Sequence, residues 1–324
     1  MSASPLDLLI CSTCGVQYPE SDPSLRSSCS VCDDPRQYVA PTGQSWTTLR
    51  AMQESKKYHN EFIPMENDDN LSNAGGGRKL ISIRTVPQVA IGQRAILCCS
   101  PTRGNNILWD CITYLDEETV RYIKEEFGGI KAIVISHPHY FSTCLCWAEA
   151  FDCNVYLSAE DAEWVMRRGE RQVLWEGGRL GFLSSSSSSD ITTSDAKAQE
   201  DCEFLAVKTG GHFPGSSVLW WKPTRKLLVA DTIYVVPSGV YHIDRPPNTV
   251  SFTFMWSYPN FIPLHPSAIH QIWKSLQDLD FDDTHAAFLG RDTRGNSRKR
   301  VLGSAKIIVK AMGYGDHEIL REGL

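Results

Sequence analysis

Short, continuous apolar runs punctuate the chain, and the clearest is the β-branched run Ile130, Ala132, Ile133, Val134 and Ile135. A run of that kind predicts a strand covered on both faces. It stops at Ser136 and opens into His137-Pro138-His139, two imidazoles two residues apart with a proline stiffening the turn between them. Beyond them Leu145, Trp147, Ala148 and Phe151 form an apolar stripe over Thr143 to Phe151, which predicts a packed helix. The order is buried strand, histidine turn, helix. It places the imidazoles at the carboxyl end of a strand, where α/β sheets build their sites.

Two later runs repeat the arrangement. Glu203 to Lys208 reads as a strand and leads into Gly210-Gly211-His212, where the glycines allow a sharp turn that brings an imidazole inward. Lys226 to Ala230 is another apolar strand, and it ends at Asp231. Three strands thus end in metal-ligand types, and that repetition points to a metal site. Upstream, ISIRTV, VAIGQRAILC and NILWDC read as three strands separated by Pro87 and an Arg103-Gly104-Asn105 turn, an antiparallel opening to one sheet of a sandwich. Leu49, Met52 and Tyr58 suggest a short helix. Asp116 to Phe127 reads as a polar helix closed by Gly128-Gly129, and Ala159 to Arg168 as a further helix. Asn154 to Leu157 is a short strand, and Ala286 to Leu289 is the expected final strand. That last assignment puts His285 at the strand's start, facing away from the site. Residues 64 to 78 read as a loop, and the six serines Ser184–Ser189 with the polar stretch through Asp201 as a solvated insertion. The aromatic and proline-rich stretch YHIDRPPNTVSF from Tyr241 to Phe252, with MWSYPNFIPLHP after it, is either a wall of the cleft or packing on the sheet. His242, His265 and His270 read as surface or hydrogen-bonded side chains. The basic cluster Arg291, Arg294, Arg298, Lys299 and Arg300 reads as the solvated start of a helix carrying Val301, Ala305, Ile308 and Met312. Its alternative use is to meet a phosphate or acidic group.

HPHYFS, GGHFPGS and LLVADTI, in that order and spacing and preceded by NILWDC, resemble the metallo-β-lactamase superfamily from about Ser45 to the C-terminus. The resemblance implies an α/β fold, an αββα sandwich of two mixed sheets flanked by helices. It implies His137, His139 and His212 as ligands of one metal, with Asp231 matching the residue that bridges two metals in the family. The family's second motif is His-x-His-x-Asp-His. Here Phe141 stands in place of the aspartate and Ser142 in place of the last histidine, so the second metal position lacks two ligands and is expected to be empty. Asp110 is expected to be a structural carboxylate rather than a ligand.

The N-terminal region carries a separate signal. Cys11-x2-Cys14 and Cys29-x2-Cys32 are two close pairs that can offer four thiolates to one tetrahedral zinc, with Gly15 suited to the first turn. A four-cysteine site is closed, so this zinc is expected to be structural. The expected organisation is a ribbon module with its tether at 1–45 and a metallo-β-lactamase-like domain at 46–324. Residues 1–46 hold two basic residues against five acidic ones, a net of −3 that argues against phosphate contact and hence against nucleic acid. Docking on the large domain or on a protein partner fits that charge. The whole chain has 324 residues, 42% hydrophobic and 22% charged, with a formal net charge of −6, ordinary for a soluble globular protein. No apolar run reaches membrane-spanning length, and the N-terminus does not read as a signal peptide. Eleven cysteines in such a chain point to ligands and buried thiols, and so to a cytoplasmic or nuclear protein with no membrane partner.

Two functions follow. In one, a single zinc keeps an open position and works through a metal-bound hydroxide on a small ester, thioester, amide or related substrate. Asp231 then orients the hydroxide or accepts a proton, and Tyr140 donates to the leaving group. In the other, the histidine site is a relic and the protein is a binding module acting through its ribbon.

Overall fold

Chain contacts divide the molecule into two units, Met1–Trp175 and Glu176–Leu324, and each is organised on one seven-stranded sheet. The computed structural model describes residues 3–65, 77–183, 192–193, 202–240, 246 and 248–324. The serine run, almost all of the insertion around it, His242 and most of the loop read at 64–78 lie outside the described residues.

In the first unit β1 (Ile10–Cys11) pairs antiparallel with β2 (Trp46–Thr47), closing the N-terminal ribbon. The sheet contains β3 (His59–Pro64), β4 (Lys79–Val86), β5 (Ala95–Cys99), β6 (Ile107–Trp109), β7 (Ala132–Val134), β8 (Asn154–Ser158) and β9 (Gln172–Trp175), side by side in chain order. The β3–β6 pairings are antiparallel, and from β6 to β9 they are parallel. Parallel neighbours need crossovers. These are supplied by α2 (Glu117–Tyr122), its continuation Ile123–Phe127, α3 (Cys144–Phe151) and a short 3-10 segment (Ala159–Trp164). A smaller helix, α1 (Leu49–Glu54), buries Leu49 and Met52. Asp116 caps α2 by accepting the Thr119 N–H, and Gly128 ends its continuation in the left-handed region at φ 86°.

The sequence reading needs three corrections here. VAIGQRAILC is a strand only over Ala95–Cys99, because Ala90 and Gly92 turn the chain with positive φ. The helix expected through Arg168 is a 3-10 segment ending at Trp164. β3, whose side chains are half-buried to exposed, has no clear alternation and was not expected at all.

The second unit has the sheet order β11-β10-β12-β13-β14-β19-β20. Its members are β10 (Arg179–Phe182), β11 (Thr192–Thr193), β12 (Phe204–Lys208), β13 (Ser217–Trp221), β14 (Lys226–Leu228), β19 (Asp283–His285) and β20 (Asp292–Thr293). Two short hairpins lie between β14 and β19 in the chain: β15 (Tyr234–Val235) with β16 (Phe252–Thr253), and β17 (Met255–Ser257) with β18 (Ile262–Pro263). Only β14 and β19 run parallel. Helix α4 (Pro266–Leu276) starts with proline after a His265 cap and buries Ile269, Ile272, Trp273 and Leu276. That is an i, i+3, i+4, i+7 stripe, and each buried side chain contributes roughly 1.5–3 kcal/mol. It packs on β12 and on α5 (Ser297–Ala311), which covers β16 and β19. The fold is α/β with two mixed sheets, each flanked by helices, as expected. Among the described residues no helix is long and apolar enough to cross a membrane.

The final strand is displaced from its expected place. It is Asp283-Thr284-His285, not Ala286–Leu289, so His285 stands at the carboxyl end of the strand rather than its start. The cause is a buried ion pair. Lys226 Nζ lies 2.8 Å from Asp283 Oδ2, and the two residues are register partners at the start of β14 and β19. A charge neutralised this way lets a strand as polar as Asp-Thr-His sit in the sheet interior, which hydrophobic periodicity cannot show.

All eleven cysteines are reduced and buried. Burial pushes the thiols of Cys99, Cys144 and Cys153 from an ordinary value of 9.0 up to about 12. A thiol whose folded pKa is raised supports the fold fully below pH about 9, and that support is lost as pH rises towards 12. Native protein at pH 9 is therefore expected to alkylate at these three positions far more slowly than urea-unfolded protein, and its stability should fall above that pH. Mass-spectrometric mapping of iodoacetamide adducts checks it; equal labelling rates in the two states would contradict this burial.

Candidate metal centre

The candidate ligands of the first unit lie in the turn after β7. Asp110 ends β6 in the left-handed region (φ 60°), a conformation that aspartate tolerates better than most residues. Its N–H donates to the Val134 carbonyl at 2.9 Å, and its Oδ1 accepts the Ser136 N–H at 2.8 Å. Asp110 thus fastens the strand end and the start of the turn, the structural role its sequence position suggested. Ser136 Oγ in turn lies 2.9 Å from His137 Nδ1. His137 and His139 are buried with ring centroids 5.0 Å apart, and the fully buried Tyr140 ring packs edge-on against His137 at 4.7 Å. Phe141 is buried, and Ser142 has φ 48° with its Oγ 3.0 Å from Thr113 Oγ1.

The second unit carries candidate ligands of its own. Gly210 (φ 63°) and Gly211 (φ 97°) make the turn after β12, and a Cβ on Gly211 would stand 2.5 Å from Thr232 Oγ1. The turn buries His212 completely and leaves its Nδ1 3.1 Å from the Met255 carbonyl. As donor to that carbonyl, Nδ1 carries the proton and Nε2 keeps its lone pair, the arrangement a metal-binding imidazole needs. Nε2 lies 3.8 Å from Asp231 Oδ2, beyond hydrogen-bond reach. Two such atoms on one ion would sit roughly 3–3.5 Å apart, so the pair is within a few tenths of an ångström of sharing a cation. Tyr258 donates its hydroxyl to the Asp231 carbonyl at 2.7 Å, and burial, with the Asp231 charge beside it, pushes that phenol well above its ordinary value. Neither Met255 nor Tyr258 was evident from the sequence. One contributes only a backbone carbonyl, and the other lies in an aromatic segment with no spacing signal.

The remaining histidines separate cleanly. His285 is buried with Nδ1 3.1 Å from Asp292 Oδ1. His265 accepts the Ser267 N–H, and His270 pairs with Glu322 at 2.8 Å, so both are satisfied as expected. In the basic cluster Arg298 donates to the Gln277 carbonyl, and Arg300 to the Gly239 carbonyl and Ser251 Oγ. These two arginines hold their own surroundings, which fits the helix-start reading.

The four cysteines come together as their spacing implied. Their Sγ atoms all lie within 4.8 Å of one another, with Cys11–Cys32 and Cys14–Cys29 each at 3.6 Å. That is far too long for a disulfide. Two thiolates about 2.3 Å from one tetrahedral ion lie roughly 3.8 Å apart, so the donor set fits a metal. Crowding splits the thiols: hydrogen bonds from their neighbours hold Cys11 well below the ordinary value and push Cys14 well above it. Tyr18 and Gln44 donate to Cys29 and Cys11 sulfurs at 3.2 and 3.3 Å, an outer layer of the kind that supports bound thiolates. Both basic residues of the ribbon are engaged by acids, Arg26 with Glu20 and Arg36 with Asp34, each at 2.6 Å.

Buried imidazoles and a carboxylate at the carboxyl ends of sheet strands define a metal-binding α/β protein. Residues 95–291 match the family model described as the metallo-beta-lactamase superfamily, and the chain belongs to that superfamily. It is also 38% identical over 308 residues to a Bacillus subtilis (strain 168) protein, Uncharacterized protein YmaE, across 94% of this chain and 96% of that one. Similar solved structures include the chemotaxis sensor ODP as a peroxy diiron species (14% identity, TM-score 0.47, 78% of this chain and 99% of that one). Another is the DIM-1 metallo-beta-lactamase (11% identity, TM-score 0.49, 78% of this chain and 98% of that one).

Asp110 offers a direct check on the turn. Asn keeps both the left-handed backbone and an acceptor for Ser136, whereas Ala loses the acceptor and strains the backbone. Asp110→Ala is therefore expected to destabilise the protein by about 1–3 kcal/mol and Asp110→Asn by much less. Urea unfolding of the two variants measures this, and equal losses would show that the Ser136 contact is not what Asp110 provides.

Proposed function

We propose that the chain is a mononuclear zinc-dependent hydrolase of a small ester, thioester, amide or related substrate. His137, His139 and His212 are its ligands and Asp231 is the adjacent carboxylate. A second zinc, in the four-cysteine ribbon, is structural. The observation that carries this reading is that His212 donates its Nδ1 proton to the Met255 carbonyl, the tautomer in which Nε2 is the metal-binding nitrogen. The donor set of neutral imidazoles and one carboxylate suits zinc, which when bound supplies a Lewis-acid charge that polarises a substrate oxygen and lowers the pKa of water.

The protein's own residues do the rest. Asp231, its backbone held by Tyr258, accepts the proton released by attacking water. The fully buried Asp110–Ser136–His137 series keeps the first imidazole from swinging. Tyr140 is buried against His137, so its hydroxyl serves the leaving group only where substrate reaches into that contact. Phe141 puts an apolar ring where a second dication would require anionic oxygen, which supports one metal rather than two. The same loss of ligands supports the second reading, a catalytically degenerate member that acts as a binding module. The ribbon's docking on its own chain, through the Gln17 N–H to the Ser142 carbonyl at 3.1 Å, weighs against a module built to present the ribbon to a partner.

Metal-replete protein is expected to carry two zinc ions per chain, and a Cys11→Ser, Cys14→Ser variant to lose the ribbon zinc. His139→Ala should abolish activity on a verified substrate, whereas Asp231→Asn should lower it sharply while metal is retained. Elemental analysis beside turnover assays reads both. A single zinc that vanishes with the cysteines would leave the binding-module reading in its place.

A further inference from the structure

The ribbon meets the histidine turn through its first knuckle, within the first unit. Its first knuckle runs from Cys11 through Cys14 to Gly15 and Gln17. Gln17 donates its backbone N–H to the Ser142 carbonyl at 3.1 Å, three residues beyond His139. Gln17 Oε1 accepts from Arg167 Nη1 at 2.7 Å and from the thiol of Cys146, on α3, at 3.4 Å. Gly15 stands so close that a Cβ there would be 2.1 Å from Thr113 Oγ1 and 3.3 Å from Ser142 Oγ, and its φ of 82° disfavours any side chain. Val16 and Gln17 share the walls of a small cavity with Phe141, Ser142 and Thr143. The second knuckle, Cys29 to Cys32, leads to Asp34. Asp34 is itself fixed by Arg36, whose guanidinium lies over the Trp164 ring at 4.8 Å.

Ser142 needs such support. A serine at φ 48° is in the left-handed region, which costs on the order of 1 kcal/mol and persists only where its surroundings impose it. Its hydroxyl is bonded to Thr113 while its carbonyl accepts from the ribbon's Gln17, so this position, which in the family's motif holds a histidine, here serves docking.

We infer that the four-cysteine ribbon is a positioning module for the histidine turn. Its metal folds the two knuckles, the first knuckle holds Phe141 to Thr143, and the turn's affinity for its own metal depends on that grip. The affinity part rests on the histidine site proposed above; the effect on the backbone of the turn does not. Gln17, Gly15 and Ser142 are positioning residues and touch no substrate.

The test uses full-length protein loaded with cobalt(II), whose four-thiolate and imidazole sites absorb differently and can be titrated separately. Gly15→Ala should keep the thiolate-to-cobalt charge-transfer band, yet weaken cobalt binding at the histidine set by roughly tenfold or more, as loss of supporting contacts does elsewhere. Amide exchange over residues 139–146 should rise in the same variant. Adding Thr113→Ala removes the colliding oxygen and should recover part of the affinity and of the protection, which a generally destabilised fold would not do. Should Gly15→Ala fail to fold, Gln17→Ala cuts the side-chain ties to Arg167, Cys146 and the Pro5 carbonyl while keeping the backbone bond to Ser142, and a smaller change in the same direction is expected. Unchanged amide exchange over 139–146 with the ribbon metal in place, in both variants, overturns the inference. If wild type takes no cobalt at the histidines, the proposed activity falls, and the exchange measurement alone still decides whether the ribbon positions the turn.

Discussion

A single buried carboxylate, Asp110, holds the N–H of Ser136, and the geometry of the histidine turn depends on that contact. Without it Ser136, and through it His137, would lose an anchor at the end of β7. With it, Ser136 is fixed, its hydroxyl reaches His137, and Tyr140 packs edge-on against the ring. The second unit reaches the same end by other means. A two-glycine turn drops His212 inside, a hairpin carbonyl fixes its tautomer, and a tyrosine hydroxyl steadies the chain at Asp231. In a low-dielectric interior each of these contacts is stronger than it would be in water, so few are needed.

The ribbon extends the same logic. Its charge is unsuited to polyanions, and its two arginines are held by neighbouring carboxylates. What it offers instead is a rigid, covalently economical wedge. Four sulfurs around one ion can stiffen two loops that have too few apolar residues for a core of their own. Gly15 and Gln17 set that wedge against Ser142, where a larger side chain at either face would force the surfaces apart.

Much of this was legible in the chain and some was not, for identifiable reasons. The run ending at Ile135, the Gly-Gly-His turn and the KLLVA strand announced themselves because apolar continuity and glycine are local signals. The cysteine pairs did so through spacing, and the structure gathers all four. The final strand did not, since its burial is made possible by a partner 57 residues away in sequence. β3 was invisible because its half-buried side chains lack alternation. Met255 and Tyr258 act on His212 and Asp231 through backbone atoms at distances of 43 and 27 residues, and no residue-type pattern encodes that. Ser142 read only as a missing ligand, whereas its actual work is conformational.

The pairing of Lys226 with Asp283 has a consequence for tolerances. Both sit at the amino ends of their parallel strands, and the proposed site residue Asp231 lies downstream of β14. A slip of one residue between β14 and β19 would separate the two charges inside the sheet, a loss of about 3–5 kcal/mol when a buried pair is broken. It would also carry Asp231 about 3.3 Å along the strand direction relative to its neighbours, more than the length of a metal–ligand bond. The ion pair therefore works as the zero mark of a ruler. An error that the apolar side chains of β14 could absorb with little penalty is made expensive at one end of the strand, so that it does not occur at the other.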